Sequence, residues 1–106
     1  MTIRIIAGKR YNTETATPVA RWTNNYHPGD FNYCHETLYL TPRGAWFLEG
    51  GGGAMSKYAK PAVGGGWTGQ GEVITPLARH EALAWLEERG EIEAIETYFN
   101  DDVEDA

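Results

Sequence analysis

A hairpin signal near the centre of the chain limits the fold more than any other feature of the sequence. Two segments rich in aromatic and aliphatic residues, 36–40 and 45–49, flank Thr41-Pro42-Arg43-Gly44. Proline and the glycine soon after it suit a type I or type II turn, and the flanking residue types are typical of strands. The pattern therefore predicts an antiparallel β-hairpin and, with it, a sheet in this part of the chain.

Segments before the hairpin predict further strands. Residues 2–7 form a short β-type run, and residues 17–22 form a second one. Pro18 lies near the start of the second run and places it at a sheet edge or a strand entry, because proline cannot donate to a ladder. Together with the hairpin, these runs predict a curved antiparallel sheet of three to five strands over about residues 1–74.

Two short C-terminal helices are predicted after the sheet. In the first, Thr75 is a suitable N-cap, Pro76 a suitable first helical residue, and Gly90 the expected stop. A second helix extends to about residue 100, and residues 101–106 form an acidic tail. A chain of 106 residues fits one domain. The predicted fold class is therefore a single α+β domain, with a helical hairpin over about residues 75–100 packed on the sheet.

Clustered glycines predict a glycine-rich loop over about residues 50–71, either mobile or tightly folded. The loop does not match a phosphate-binding P-loop, because Lys57 follows Ser56 and no glycine precedes it directly. Most aromatic residues fall in strand or helix stripes, where core packing is expected. Trp67 lies among glycines instead and is expected to be an exposed anchor. The loop residues predicted to contact a partner are Lys57, Tyr58 and Trp67.

The charge of the chain is divided unevenly along its length. Residues 1–80 carry eight Lys/Arg and five Asp/Glu, whereas residues 81–106 carry ten acids and a single base, Arg89. The two parts have charges of +3 and −9, which together give the net charge of −6. Direct nucleic-acid binding favours the opposite sign, so it is not expected. A dense acidic surface favours a basic protein partner and speeds its capture.

The C-terminal acids have two interpretations. They form either a solvated helix face with a solubilising tail, or a display of carboxylates that stands in for phosphates in a basic DNA-binding groove. Their density and the near absence of bases favour a partner-binding surface. The residues predicted for that surface are Glu87, Glu88, Glu91, Glu93, Glu96, Asp101 and Asp102.

No catalytic, metal-binding or cofactor-binding residues are predicted. Cys34 and His35 are adjacent, whereas zinc sites use Cys/His pairs two to five residues apart. A small enzyme that uses Cys34 or a histidine is the weakest alternative, because no nucleophile–base pair is recognisable. No apolar run approaches the roughly 20 residues of a membrane span, and the N-terminal segment is too short and too mixed for a signal peptide. A lone cysteine fits a reducing compartment, so a cytoplasmic location is expected.

Several motifs carry a resemblance to known proteins. They are residues 8–17, Glu36-Thr37-Leu38-Tyr39, Trp46-Phe47-Leu48 with the glycines after it, Met55-Ser56-Lys57-Tyr58-Ala59 and Glu81-Ala82-Leu83-Ala84-Trp85. The chain resembles a family of small proteins carried by bacterial mobile elements and phages, and within that group it is similar to type I-C anti-CRISPR proteins.

The resemblance implies an inhibitor that binds the type I-C Cascade surveillance complex in the bacterial host cell. The expected contact is the large subunit that reads the PAM, and the expected effect is that target DNA no longer docks. An acidic decoy suits such a subunit, since it reads duplex DNA through basic and polar residues. The alternative is a non-catalytic regulatory module of a mobile element that binds through its glycine-rich, Trp67-containing loop. A monomer without a small-molecule substrate is expected in both cases.

Overall fold

The structure is a computed structural model and describes residues 2–106. The elements are β1 (Ile3–Ile6), β2 (Lys9–Asn12), β3 (Thr17–Thr23), β4 (Cys34–Leu40), β5 (Trp46–Gly52), β6 (Lys60–Pro61), β7 (Trp67–Thr68), β8 (Gln70–Leu77), α1 (Arg79–Glu88), α2 (Ile92–Tyr98) and a 3-10 turn (Asn100–Asp102). The main sheet has four antiparallel strands in the order β3-β4-β5-β8, and two small two-stranded sheets pair β1 with β2 and β6 with β7. Two helices follow the last strand. This is the predicted α+β class.

The central hairpin predicted from the sequence is present as β4 and β5. Leu38 pairs with Leu48 in its middle. The turn is closed by Thr41, whose backbone N–H donates to the Ala45 carbonyl oxygen at 2.8 Å and whose Oγ1 accepts from the Ala45 N–H at 2.9 Å. β3 lies at an edge of the main sheet and begins at Thr17, so Pro18 occupies the edge position that was predicted.

Both faces of the main sheet are covered. Side chains alternate along a strand, so Trp46 and Leu48 face one side of β5 while Phe47 faces the other. On the helix side, the Trp46 ring stacks on Phe99 with 4.9 Å between ring centroids. On the other side, Phe47 contacts Tyr11 of the β1–β2 hairpin edge-on at 5.5 Å. The sheet therefore separates a helical layer from a small hairpin layer.

The start of the first helix was predicted wrongly. Thr75 and Pro76 belong to β8, and α1 begins only at Arg79 with Ala78 as its N-cap. β8 is an edge strand, where a proline without an N–H group is tolerated. The cap comes from Glu81 instead, whose Oε1 accepts a hydrogen bond from the Ala78 N–H at 2.8 Å. The sheet therefore extends to Leu77.

The glycine-rich segment is more regular than predicted. Gly50, Gly51 and Gly52 are not loop residues but the end of β5. A Cβ atom on Gly50 would overlap the Tyr58 hydroxyl and approach the backbone of β4, so this close approach requires glycine. Residues 64–66 all have positive φ and form the turn between β6 and β7.

None of the described helices is long and apolar enough to cross a membrane.

Candidate functional site

The seven predicted contact acids are spread along the helical layer, from the end of α1 through the turn before α2 and along α2 to the 3-10 turn, where Asp102 pairs with Arg79 at the start of α1. We call this set the acidic layer, and it comprises Glu87, Glu88, Glu91, Glu93, Glu96, Asp101 and Asp102. Six are exposed, and Glu91 is half-buried. Of these seven acids, only Glu88 and Asp102 form ion pairs with the described residues 2–106, with Arg89 and Arg79 respectively. Five carboxylates of the layer thus face solvent without an ion-pair partner among the described residues.

A tight turn between the helices connects the α1 part of the acidic layer to the α2 part. Gly90 has a φ of 65°, and its N–H donates to the Glu87 carbonyl oxygen at 3.2 Å. The Glu91 N–H donates to the Leu86 carbonyl oxygen at 3.1 Å. This pair of bonds is a Schellman motif, in which the left-handed residue is usually glycine. Gly90 therefore ends α1 as predicted and reverses the chain.

Arg89, the only base among residues 81–106, is withdrawn from the surface of the helical layer. Its side chain is 14% exposed, and its guanidinium lies 4.8 Å from the Trp22 ring centre and 4.3 Å from that of Trp85. Its Nη2 contacts Glu36 Oε1 at 3.2 Å. Because this positive charge is held against a buried carboxylate, it compensates the acidic layer less than the sequence implies.

Glu36 is the centre of a buried polar cluster beneath the helices. Its side chain is fully buried on the helix side of β4. Besides Arg89, it accepts hydrogen bonds from the Tyr58 hydroxyl at 2.5 Å and from Trp85 Nε1 at 2.9 Å, and Lys57 Nζ lies 2.5 Å from Oε2. Burial by itself raises the pKa of Glu36, but hydrogen bonds from Lys57, Tyr58 and Trp85 outweigh burial and lower the pKa below its ordinary value. The Glu36 side chain is therefore charged, and both of its oxygens have partners within the protein.

Two of the three predicted loop contacts belong to this buried cluster. Tyr58 is only 7% exposed, so its ring is not a surface contact and its predicted role does not match its position. Burial and the hydrogen bond to Glu36 raise the pKa of Tyr58. The Lys57 side chain is 57% exposed, and its ammonium is paired with Glu36. Glu36 therefore joins the 53–58 loop to the end of α1.

Sequence reasoning missed the role of Glu36, although one signal was present. Glu36 and Leu38 are two residues apart in a predicted strand and therefore share one face. A carboxylate on an otherwise apolar face indicates a buried acid that needs partners. Its partners were not readable, since Arg89 lies 53 residues further along the chain.

Exposed apolar side chains gather at the end of the sheet away from the 41–44 turn. We call this region the loop end, and it contains Tyr26, Phe31, Met55, Val63 and Trp67, each at least half exposed. The Met55 N–H donates to the Phe31 carbonyl oxygen at 2.8 Å, which ties two of these loops together. Trp67 is 64% exposed and lies on the short β6–β7 hairpin, so its side chain has the accessibility that an anchor requires.

The residues considered for catalysis do not form a recognisable site. Cys34 is buried, and burial followed by the nearby Glu36 carboxylate raises the pKa of its thiol. A thiol in such surroundings is a poor nucleophile. His35 stacks at a tilt on Tyr33 with 5.5 Å between ring centroids. Among residues 2–106, no group of three or more His, Cys, Asp or Glu is arranged to hold a metal ion.

No protein-family model matches this chain, and neither does any curated protein or solved structure. The resemblance seen in the sequence motifs has no support from these comparisons. The inference of a binding face therefore depends on the geometry of the acidic layer and the loop end, and only the sequence motifs point to a particular partner.

Proposed function

We propose that this protein is a non-catalytic inhibitor that presents its acidic layer to a basic, DNA-binding surface of another protein. The observation that carries the proposal is the combination of exposed, unpaired carboxylates with the withdrawal of Arg89. Such a surface has a negative field with little internal compensation. It attracts a basic groove over the distance that salt screening allows.

Carboxylates on a helical layer are suitable substitutes for phosphates. Duplex DNA carries one negative charge per roughly 1.7 Å of its axis, and proteins neutralise it with Lys and Arg. An arginine pairs with a carboxylate through the same two-pronged hydrogen bonding that it uses with a phosphate. Because α1 and α2 pack on one side of the sheet, the backbone that carries most of these carboxylates is already in position before the partner arrives. Pre-organisation of this kind lowers the entropy cost of binding.

The resemblance of the sequence motifs suggests the partner. On that basis, we propose that the acidic layer occupies the PAM-reading large subunit of the type I-C Cascade complex and so prevents target DNA from binding. The subunit would be contacted in the bacterial cytoplasm, and the protein would act as a monomer. The acidic layer supplies the chemistry for this contact, since the competing ligand is itself a polyanion.

The direct test measures target DNA binding by purified type I-C Cascade, with and without this protein, across a salt series. We expect the protein to co-elute with the complex and to abolish binding of PAM-containing duplex DNA at about 0.1 M salt, where the Debye length is about 10 Å. Inhibition should weaken steeply as salt rises. Normal DNA binding by a complex that carries the protein would contradict DNA mimicry.

The second candidate function is partner binding through the loop end, and the exposure of Trp67 favours it. The variant Trp67→Ala distinguishes the two candidate functions. Trp67 lies outside both buried hydrophobic clusters of the protein, so its removal tests binding without disturbing the core. If the acidic layer is the binding face, we expect Trp67→Ala to change affinity for Cascade by less than about threefold. A buried hot-spot tryptophan costs about 2 kcal/mol or more, which is roughly thirtyfold in affinity.

The affinity measurement on Trp67→Ala is meaningful only if the variant is folded. Trp67→Ala should melt within a few degrees of the natural chain, because surface substitutions usually change stability by less than about 0.5 kcal/mol. Ile5→Ala, at a similarly exposed apolar position on β1 outside the loop end, is the matched control. An affinity loss of tenfold or more for Trp67→Ala alone would move the binding face from the acidic layer to the loop end.

A further inference from the structure

A cleft opens on the side of the molecule that the acidic layer does not occupy. It lies between the turn of the β1–β2 hairpin and the 41–44 turn of the main sheet, and its volume is about 490 Å³. Three cations line it, namely Lys9, Arg10 and Arg43, together with Thr41. A neighbouring recess of about 260 Å³ shares Arg10, Thr41 and Arg43 and adds Asn12 and Thr15. The two recesses form one groove.

Local structure explains why Lys9 and Arg10 lie at the hairpin turn beside the groove. Ala7 and Gly8 have φ values of 51° and 78°, which suits a tight two-residue hairpin turn. Lys9 and Arg10 therefore follow at once as the first residues of β2. The edge-on contact of Tyr11 with Phe47, at 5.5 Å, fixes this hairpin against β5 beside the turn that carries Arg43. Both walls of the groove are thus anchored turns.

The cations that line the groove have no partners among the described residues. No Asp or Glu lines either recess. Within residues 2–106, the side chains of Lys9, Arg10 and Arg43 form neither an ion pair nor a hydrogen bond. Thr41 Oγ1 accepts from the Ala45 N–H, so its own hydroxyl hydrogen is free to donate. The donors that the groove offers to an anion are therefore the guanidinium groups of Arg10 and Arg43, which line both recesses, and the Thr41 hydroxyl.

We propose that this groove binds a ligand that carries two or more phosphate groups. Two guanidinium groups match phosphate oxygens in charge and in hydrogen bonding. The volume falls within the range of small-molecule sites, roughly 300–1,000 Å³. The one aromatic side chain that lines the groove, Tyr11, is 7% exposed and packed on the sheet, so it offers no surface for stacking a base. Recognition is directed at phosphates, whether of a free nucleotide or of a nucleic-acid backbone.

The net charge of −6 does not oppose this proposal. The excess of acids belongs to the helical layer, which packs on the other face of the main sheet. At physiological salt the Debye length is about 8 Å, so charges on the other face of the sheet are partly screened at the groove. The site is independent of the proposed function, and its test uses no Cascade.

The test is calorimetric titration of the whole protein with two probes, inorganic pyrophosphate and a ten-nucleotide single-stranded RNA. We expect Arg10→Glu/Arg43→Glu to weaken binding by about a hundredfold, since each lost charge-assisted contact costs roughly tenfold. Arg4→Glu/Arg21→Glu is the matched control, because these two cations lie outside the groove and the net charge changes equally. The control should weaken binding less than threefold.

The two probes identify the source of the phosphates. Equal affinity for both indicates a free nucleotide, and much tighter, salt-sensitive binding of the RNA indicates a nucleic-acid backbone. The proposal is overturned if neither probe binds the natural chain, or if both double variants lose affinity equally. It is also overturned if sedimentation shows self-association that only the groove variant abolishes, because the groove would then receive the acidic layer of a second copy.

Discussion

Glu36→Gln is expected to destabilise the protein by about 3–5 kcal/mol, because it removes the buried counter-charge of Arg89 and leaves that arginine paired only with the exposed Glu88. Glu36 is fully buried, and the Arg89 side chain is 14% exposed between two tryptophan rings. Glutamine keeps the size of the side chain but not its charge, so the cost comes from Arg89 and not from a cavity. Small domains have only about 5–15 kcal/mol of stability in total. Urea unfolding, followed by tryptophan fluorescence, measures the difference.

Two variants make this result specific. Glu49→Gln, on the opposite face of the sheet and partly exposed, should change stability by less than about 0.5 kcal/mol. Adding Arg89→Met to Glu36→Gln should restore part of the loss, because the stranded charge is then removed. Simple additivity of the two substitutions, or a loss below about 1 kcal/mol for Glu36→Gln alone, would show that the pair is not a coupled buried unit.

The difference in stability between the natural chain and Glu36→Gln should depend on pH in a defined direction. The hydrogen bonds to Glu36 lower its pKa in the folded protein despite burial. A carboxylate with a lowered folded-state pKa stabilises the protein fully above its unfolded pKa, about 4.3 for glutamate, and loses that contribution as the pH falls further. The difference in unfolding free energy between the natural chain and Glu36→Gln should therefore shrink from pH 5 to pH 3. A difference that grows on acidification would contradict the geometry.

Neutralising the acidic layer is expected to have the largest effect on partner binding. A quadruple variant removes four carboxylates that form no ion pair among the described residues. Its substitutions are Glu87→Gln, Glu91→Gln, Glu93→Gln and Glu96→Gln. We expect affinity for Cascade to fall by a hundredfold or so at about 0.1 M salt, and the gap to the natural chain to narrow near 1 M, where the Debye length is about 3 Å. Competition binding across a salt series measures both.

A matched pair of double variants tests whether position matters as well as charge. Glu93→Gln/Glu96→Gln lies in the acidic layer, and Glu14→Gln/Glu49→Gln removes the same charge from the rest of the molecule. The first should weaken binding by about tenfold and the second by less than threefold, since only charges facing the partner are desolvated. Equal effects would mean that net charge alone attracts the partner and that the acidic layer is not the contact surface.

Much of the fold was predictable because its signals are local. The 41–44 turn specifies the β4–β5 hairpin through its own proline and glycine. Gly90 ends α1 because a left-handed residue is needed within one turn of the helix. The start of α1 was misread, since a Thr-Pro pair suits both a helix start and an edge strand. Only the pairing of Pro76 with Phe47 decided between the two.

The sequence by itself determined the fold class, the central hairpin and the separation of charge between the first 80 residues and the rest. These features depend on residue type and on neighbours within a few positions. The tertiary structure alone decided that Arg89 turns inward, that Tyr58 is buried and that Gly50 is a strand residue. Each of these depends on Glu36 or its strand, whose partners Tyr58, Trp85 and Arg89 lie 22, 49 and 53 residues away. Packing brings such groups together because a buried carboxylate is stable only when donors surround it.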